Sequence, residues 1–235
     1  MSSKQAAQTK QVQRIFSKVA PVYDLANHIL SLGQDFAWRR FSARCLRPGP
    51  RGRVLDVACG TGDLALEIAR RPERPLVVGL DLVPAMLKPA QAKANSKKAR
   101  LALLCGDGTR LPFRESSFDA VTIAFGIRNI PHRHQALTEM LRVLTPQGRI
   151  YILEFTTPHQ PWLRKIYRLY LKHALVAVGA FISGDRQSYR YLAETILGFP
   201  SPPRFRDEMR RAGFKAVRSY PLTQGITWLH IGDKE

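Results

Sequence analysis

Three carboxylates stand at the ends of three successive β-rich runs in this chain. They are Asp56 in VLDVACGTG, Asp81 in VVGLD and Asp107 in LLCGDG. A loop that contains Gly60 and Gly62 follows the first of them and opens a helix-like pattern. Glycine in such a loop lets the backbone approach a ligand closely, and the helix N-terminus offers free N–H groups. The arrangement predicts a site for a nucleotide-like cofactor.

The acids indicate which cofactor this site would take. The glycine spacing also satisfies the dinucleotide fingerprint, but Asp56, four residues before Gly60, would repel a pyrophosphate and suits an ammonium group. Asp81 follows 25 residues later, where an acid can bind two ribose hydroxyls, and Asp107 could reach an adenine amino group. Each acid alone is also typical of a turn or a helix cap. Together they describe ammonium, ribose and adenine without phosphates, which predicts S-adenosylmethionine.

The residues around these acids alternate between strand-like and helix-like periodicity. Strands are predicted at 53–58, 75–81, 100–107, 118–125 and 149–155. Helices are predicted between them at 63–71, 83–94 and 132–144, with Gly148 as a stop signal. Regular β-α alternation predicts an α/β fold, with a mostly parallel sheet and helices on both of its faces.

Helical segments flank this alternating region on both sides. About fifty residues before the first strand look helical and end in the linker RPGPRG, 47–52. After residue 156 the chain continues with three helical segments and two short strands, at 161–183, 185–197, 203–213, 215–220 and 227–232. The length suits one well-buried core. We expect a single domain, 1–235, in which an N-terminal helical cover, 1–48, and a helical insertion, 157–200, shape the acceptor site.

Four stretches of the chain carry a resemblance to a known family. They are FSKVAPVYDLANHILSLGQDFAWRR, VLDVACGTGDLAL, FDAVTIAFGIRNIPHRHQALTEMLRVLTPQGRIYILEF and YRYLAETILGFP. From about residue 14 to residue 232 the chain resembles the ubiquinone/menaquinone-biosynthesis C-methyltransferases, the UbiE/MenG family. The resemblance implies a Rossmann-like class I methyltransferase fold with a seven-stranded sheet. It also implies methyl transfer from S-adenosylmethionine to a ring carbon of a prenylated quinol.

The resemblance assigns cofactor contacts by position to Thr61, Asp81, Asp107 and Gly108. Together with the other acid and the glycine loop, the predicted cofactor-binding set is Asp56, Gly60, Thr61, Gly62, Asp81, Asp107 and Gly108. The chain departs from residues common in the family at three positions, with Ala124 for Ser, His132 for Asp and Gln147 for Gly. The first departure removes a contact that bacterial ubiquinone-pathway members often have.

Methylation of a ring carbon makes demands that point to further residues. A neutral aromatic carbon is a poor nucleophile, so a phenolic proton with a pKa near 10 must leave, and the oxyanion needs a donor. Ligands of doubly wound sheets lie beyond the carboxyl ends of the strands, where FGIRN places Arg128 and Asn129. We expect catalytic roles for Arg128, Asn129 and Tyr23, the last from the N-terminal cover. The alternatives are an arginine that caps loop carbonyls and a tyrosine that only packs the cover.

The formal net charge of +19 predicts attraction to an anionic partner, either nucleic acid or a membrane surface. The sequence lacks the aromatic-basic motif of an RNA-binding module, so nucleic acid is not expected. The segment 161–183 mixes aromatic, apolar and basic residues, which is typical of an interfacial helix and of a groove for an isoprenoid tail. Ordinary helix packing is the alternative. Its longest apolar run, 174–182, has nine residues, fewer than the roughly 20 of a membrane span.

Cysteine usage and the N-terminus bear on the compartment. Three widely spaced cysteines and the absence of a secretory signal fit a reducing compartment. We therefore expect a cytoplasmic protein that contacts anionic membranes peripherally. No metal site is predicted, since His132 and His134 face apart on a helix.

Other functional classes stay open on the sequence. Another hydrophobic or phenolic acceptor, or a nucleic acid, would keep the cofactor and change the partner. A nicotinamide oxidoreductase fits the glycine spacing but gives no reason for Asp56 and Asp107. A non-enzymatic regulator on this fold is disfavoured by the intact loop. The sequence also leaves open a homo-oligomer and the choice between a naphthoquinol and a benzoquinol.

Overall fold

The computed structural model describes residues 3–47, 49 and 52–235, and side chains from residue 7 onward. One seven-stranded sheet has the order β3-β2-β1-β4-β5-β7-β6. Its strands are β1 Arg53–Val57, β2 Leu76–Asp81, β3 Leu101–Cys105, β4 Phe118–Ala124, β5 Leu144–Phe155, β6 Lys215–Leu222 and β7 Thr227–Asp233. β7 pairs antiparallel with both of its neighbours, and the other pairs are parallel. The predicted mostly parallel sheet is confirmed.

Helices precede, connect and follow the strands. They are α1 Ser3–Val19, α2 Tyr23–Leu30, α3 Gln34–Cys45, α4 Asp63–Ala69, α5 Pro84–Ser96, α6 Arg133–Val143, α7 Pro161–Leu169, α8 Leu175–Ser183, α9 Arg186–Leu197 and α10 Pro202–Arg211. In β1, Leu55 packs in one core cluster with Leu137 of α6, whereas its neighbour Val54 packs in another with Ile68 of α4. Successive strand residues point to opposite faces, so helices cover both faces of the sheet as predicted.

The predicted elements differ from the structure mainly around β5. The helix predicted at 132–144 ends at Val143, and β5 begins at Leu144 rather than at residue 149. Gly148 therefore lies inside β5 and does not stop a helix. The pairing of β5 with β4 shifts register in this part of the strand. The helix-like pattern of the sequence did not predict this irregular start of β5. Of the predicted cover and linker, residues 1, 2, 48, 50 and 51 lie outside the described part of the chain.

The N-terminal helices and the segment between α7 and α9 pack into one cover. Ala26 of α2 is buried in a cluster with Tyr167, Leu175 and Tyr189. Gly179 allows α8 to approach α9 closely, because a Cβ at this position would lie 2.2 Å from the Tyr189 ring. The two flanking segments thus meet in space although about 130 residues separate them in the sequence.

The segment 161–183 forms one continuous helical run, in which a π-helical stretch, Tyr170–Ala174, joins α7 to α8. By length and composition this 23-residue run could cross a membrane, and 28% of its most apolar window is buried in the protein. The uninterrupted apolar run of nine residues suggested a segment too short for a membrane span. The helical run begins at Pro161, well before residue 174, and is therefore longer than that apolar run indicated. Tyr167 and Leu175 hold one side of the run in the buried cluster with α2 and α9.

Candidate active site

A cavity of about 400 Å³ opens at the carboxyl ends of the parallel strands. Four of the predicted cofactor residues line it, namely Gly60, Asp81, Asp107 and Gly108. These residues come together because the carboxyl ends of β1, β2 and β3 meet at one edge of the sheet. We call this space the cofactor cavity.

Asp81 holds two loops of the cofactor cavity in place. One of its carboxylate oxygens accepts a hydrogen bond from the Gly60 N–H at 2.7 Å, and the other accepts one from the Val83 N–H at 2.8 Å. Burial raises the pKa of Asp81, and these backbone donors oppose that effect. Since each carboxylate oxygen has two lone pairs, Asp81 retains acceptors for a pair of hydroxyls.

The loop after β3 contributes a second carboxylate. Asp107 Oδ1 accepts hydrogen bonds from the backbone N–H and from the hydroxyl of Thr109, both at 2.8 Å. Gly108 follows it, and a Cβ there would lie 3.0 Å from a methyl group of Val57. Glycine therefore lets this loop pack closely against the end of β1 while Asp107 lines the cavity.

The described residues that line the cofactor cavity do not include Asp56, Thr61 or Gly62. Asp56 is 1% exposed, and the Thr122 hydroxyl donates to its Oδ1 at 2.7 Å. Burial raises the pKa of Asp56 to about 7. Asp56 therefore lies buried at the end of β1, and its predicted pairing with an ammonium group stays a prediction.

Thr61 and Gly62 belong to the glycine loop and contact the neighbouring helices α2 and α5. The Thr61 hydroxyl donates to Asp24 of α2 at 2.5 Å, and Lys93 of α5 bonds the other oxygen of Asp24 at 2.6 Å. Gly62 has a φ of +81°, and a Cβ there would lie 3.1 Å from the Cβ of Ala90. Thr61 therefore ties the cover to the glycine loop, and Gly62 permits close packing on α5.

A second cavity of about 510 Å³ lies under the cover and is lined mainly by apolar side chains. Residues of α1, α2, α3, α7, α8 and α9 and the ends of β4 and β5 surround it. We call it the acceptor cavity. Four residues line both cavities: Phe16, Tyr23, Phe125 and Asn129. They form a shared wall, where ligands of the two cavities would meet.

Arg128 lines the acceptor cavity and is held by a buried ion pair. Its Nη1 donates to Glu154 at 2.6 Å and to the Phe125 carbonyl at 2.5 Å, while its backbone N–H donates to Glu154 at 3.2 Å. The side chains of Arg128 and Glu154 are 3% and 0% exposed. Capping of a loop carbonyl, the structural alternative, is therefore seen. Nε of Arg128 is also buried without a partner among the described residues, which leaves a donor for a ligand.

The other two predicted catalytic residues lie in the shared wall. The Asn129 side-chain amide donates to the Phe125 carbonyl at 3.4 Å. Burial raises the pKa of Tyr23, against the opposing charges of Arg128 and Arg39. The structure thus brings Arg128, Asn129 and Tyr23 to one border, and their chemical roles stay predictions.

Sequence reasoning missed two charged residues of this region. Glu154 stands in the apolar strand pattern ILEF and belongs to no motif. A single acid within a strand predicted to be buried is the signal that could have identified it. Asp35 is 2% exposed, lines the acceptor cavity and pairs with Arg39. Among the described residues, His28, Asp35 and Asp63 are close enough to share a metal ion. Arg39 and Lys93 already bond the two carboxylates, which disfavours a further cation.

Comparisons with known proteins agree with this geometry. Residues 4–234 match the ubiE/COQ5 methyltransferase family. The chain is 47% identical to demethylmenaquinone methyltransferase of Deinococcus radiodurans over 95% of this chain and 92% of that protein. It is 40% identical to ubiquinone/menaquinone biosynthesis C-methyltransferase UbiE of Geotalea daltonii, over 96% and 97% of the two chains.

A solved structure from Thermotoga maritima, described as a SAM-dependent methyltransferase and possible histamine N-methyltransferase, superposes with a TM-score of 0.67. The alignment covers 95% of this chain and 100% of that one at 19% identity. At this identity the likeness concerns the fold, and it confirms the predicted Rossmann-like class I methyltransferase architecture.

Replacing Asp56 tests its buried, proton-retaining state. Because its folded pKa is about 7 and an unfolded Asp titrates near 4, the wild type should lose stability as pH rises from about 4 to 7. The loss should be on the order of 4 kcal/mol. Asp56→Asn should flatten this part of the profile in denaturant titrations at a series of pH values. Parallel profiles for variant and wild type would contradict the assignment.

Replacing Asp81 tests the cofactor cavity. Asp81→Ala removes acceptors for the ligand and for two loops, so calorimetry should show S-adenosylmethionine affinity weakened by about 1.5–3 kcal/mol. Asp119→Ala is a matched control, since Asp119 also accepts a backbone N–H, from Arg53 at 2.7 Å, at the opposite edge of the sheet. An unchanged affinity in folded Asp81→Ala would show that the cofactor binds elsewhere.

Proposed function

The chain belongs to the ubiE/COQ5 methyltransferase family, and from this we propose that it methylates a ring carbon of a prenylated quinol with S-adenosylmethionine. Relatives of the chain are named for menaquinone and ubiquinone biosynthesis. The observation that carries the proposal is the wall shared by the two cavities. A cavity with two carboxylates and a larger, more strongly apolar cavity meet at Tyr23, Phe125 and Asn129.

The cofactor cavity fits S-adenosylmethionine by the chemistry of its lining. Asp81 and Asp107 offer acceptors to hydroxyl and amino groups, and Gly60 and Gly108 admit a ligand close to the backbone. Apolar contacts come from residues such as Met86. When bound, this cofactor supplies an electrophilic methyl group on a sulfonium.

The acceptor cavity fits an aromatic ring with an isoprenoid tail. Tyr167, Leu171 and Leu175 give its cover side an apolar lining, whereas its inner end holds Arg128 and Asn129. A tail along the cover would leave the ring against the shared wall. Such positioning converts an encounter into an oriented reaction, which supplies much of the rate in two-substrate enzymes.

We propose that Arg128 stabilises a phenolate as it forms. Its charge is held by Glu154 through Nη1, and Nε remains for a ligand oxygen. In a cavity with little water, a fixed donor stabilises a developing oxyanion more than the same donor in solution. We propose that Arg128 and Asn129 bind the acceptor oxygen and that Tyr23 closes the wall above it.

An anaerobic assay tests the function. The protein should convert a demethylated prenyl naphthoquinol to its ring-methylated product and release an equal amount of S-adenosylhomocysteine. A matching benzoquinol, assayed in parallel, identifies the preferred ring. Turnover only of phenols that lack a prenyl tail would favour the alternative, methylation of another phenolic acceptor.

Within this assay, Arg128→Lys tests the arginine and keeps a positive charge beside Glu154. Removing that charge would leave Glu154 unpaired in the interior and would destabilise the protein by about 3–5 kcal/mol. We expect near-normal cofactor affinity and a methylation rate lowered at least tenfold, by analogy with the loss of an oxyanion donor. Arg133→Lys is the matched control. Arg133 also pairs with a glutamate, Glu208, and lies over a phenylalanine ring, but it lies outside both cavities. Equal rates for both variants would leave Arg128 a structural role only.

We further propose that the acceptor is taken from an anionic membrane surface through the face around 161–183. Ile29, Leu32, Ile166 and Val178 line the acceptor cavity and are also exposed, Leu32 by 86%. Phe181 of α8 is 92% exposed. Large exposed apolar patches on soluble proteins mark interaction sites.

Basic residues accompany this apolar face along α7 and the π-helical stretch. Arg164, Lys165, Arg168 and Lys172 line a shallow groove beside it. Each basic residue near an anionic bilayer contributes about 1 kcal/mol of attraction. Although the 23-residue run is long and apolar enough to span a membrane, we propose that its basic face keeps it in the interface, as in other amphipathic helices of this kind.

Neutralising these four residues to Gln together should reduce co-sedimentation with anionic vesicles and slow turnover of long-tailed quinol. Turnover of a short-tailed, water-soluble quinol should hardly change. The matched control neutralises four exposed basic residues at the opposite edge of the sheet, Arg74, Lys97, Lys98 and Arg100. Binding of the wild type should weaken with salt, because screening shortens the range of the attraction. A wild-type protein that stays in the supernatant at low salt would refute the membrane proposal.

A further inference from the structure

A polar cluster interrupts the apolar lining of the acceptor cavity at the turn between α2 and α3. Asp35 is its centre and is 2% exposed. The Ser31 hydroxyl donates to Oδ1 of Asp35 at 2.8 Å, while His28 Nδ1 lies 2.8 Å from Oδ2 and Arg39 bonds the same oxygen. Ser31, Asp35 and Arg39 all line the cavity.

The charge state of Asp35 determines what it can recognise. Burial alone would raise the pKa of Asp35, but Arg39, Ser31 and His28 together lower it below its usual value. Asp35 is therefore a carboxylate at neutral pH and can only accept hydrogen bonds. A carboxylate has about four acceptor sites, and the described side chains use three of them, one on Oδ1 and two on Oδ2. One acceptor on Oδ1 is left, on a residue that lines the cavity.

Asp35 and Arg128 belong to two polar groups beside the same aromatic pair. Phe125 and Phe155 stack with their ring centroids 4.4 Å apart. The Arg39 guanidinium lies 5.3 Å from the Phe125 ring, and that of Arg128 lies 5.6 Å from the Phe155 ring. A ring with two oxygens para to each other presents one oxygen at each end, so it can meet both groups at once.

The two redox states of such a ring differ in hydrogen-bond character. A quinol carries two O–H groups that can donate, whereas a quinone carries two carbonyl oxygens that only accept. We propose that Asp35 is a specificity-determining residue that selects the reduced ring, by accepting a hydrogen bond from the quinol hydroxyl remote from Arg128. This inference rests on the proposed function. A quinone carbonyl at the same place would face a carboxylate oxygen and would be repelled.

The effect should be large, because polar sites discriminate strongly against ligands that cannot satisfy them. A hydrogen bond to a charged group corresponds to about a 10- to 100-fold difference in affinity. Asp35 would also keep the remote hydroxyl protonated, since a neighbouring negative charge disfavours ionisation. Negative charge would then collect on the oxygen that faces Arg128.

The test compares binding of the two redox states. The probes are a demethylated naphthoquinol with one isoprene unit and its quinone, titrated anaerobically into protein saturated with S-adenosylhomocysteine, so that no turnover occurs. The wild type should bind the quinol at least tenfold more tightly than the quinone. Asp35→Asn places an amide that both donates and accepts, so the ratio should fall to near one. Asp119→Asn, which changes an acid outside both cavities, should retain the wild-type ratio.

A second measurement uses only the wild type, in case Asp35→Asn does not fold. The two monomethyl ethers of the quinol add the same bulk but each lacks one donor, and the ether at the remote oxygen should bind at least tenfold more weakly than the quinol. The inference is overturned if Asp35→Asn weakens both redox states equally, or if both ethers bind within threefold of the quinol. A wild type that never methylates the quinol would instead refute the proposed function. If the wild type methylates the quinol but the ratio of quinol to quinone affinity does not depend on Asp35, this inference alone is refuted.

Discussion

The buried ion pair between Arg128 and Glu154 is the contact on which both cavities depend. Glu154 ends the buried part of β5, and Arg128 stands in the short 3-10 turn, Ile127–Asn129, that follows β4. Removing two charges from water costs several kcal/mol per ion unless hydrogen bonds and pairing offset it. Here the backbone N–H groups of Arg128 and Phe155 and the Phe125 carbonyl complete the pair. The turn is thereby fixed to the sheet, and with it the position of Asn129 in the shared wall.

The cover depends on the sheet through a second set of charges. Asp24 of α2 bonds Thr61 of the glycine loop and Lys93 of α5, and Lys93 also bonds Asp63. The loop that would contact the cofactor is therefore tied to the helices that enclose the acceptor. The glycine loop and the cover are thus joined at the border between the two cavities.

Periodicity predicted the order and type of the elements well, because most strands are largely buried and alternate with helices, whereas β3 and β6 are mainly exposed. It failed at residues 144–148, where a bulged extension of β5 continues from α6 without a loop. For the site, the strand ends predicted that Asp81 and Asp107 would lie together, and both line the cofactor cavity, since topology alone carries the ends of parallel strands to one edge. Their contacts with a cofactor stay predictions. The spacing of Asp56 did not reveal that its carboxyl is buried against Thr122, because spacing does not show the direction of a side chain.

The burial of the charged pairs could not be predicted from the sequence for a related reason. Glu154 meets Arg128 across the sheet edge, so neither spacing nor periodicity marks that pair. Asp35 and Arg39 are four residues apart on one helix, a spacing that predicts a pair, but the sequence does not show that the pair is buried. Their signal was compositional, an acid within an apolar strand or within the covering helices. Such acids in a buried setting require a partner, which makes them worth singling out even where no motif includes them.

The pairing of each arginine in the acceptor cavity has a consequence for the chemistry. Arg39 with Asp35 and Arg128 with Glu154 are both formally neutral pairs beside the Phe125 and Phe155 rings. An unpaired guanidinium in this apolar space would carry a large desolvation penalty and would attract any anion. Paired, it admits a neutral ring and tail, yet its remaining N–H groups are fixed in direction. When charge develops on a ring oxygen, these donors need no reorganisation, and the low local polarity strengthens their effect. If the proposed function holds, the same pairs would reconcile an apolar cavity with the stabilisation of a transient anion inside it.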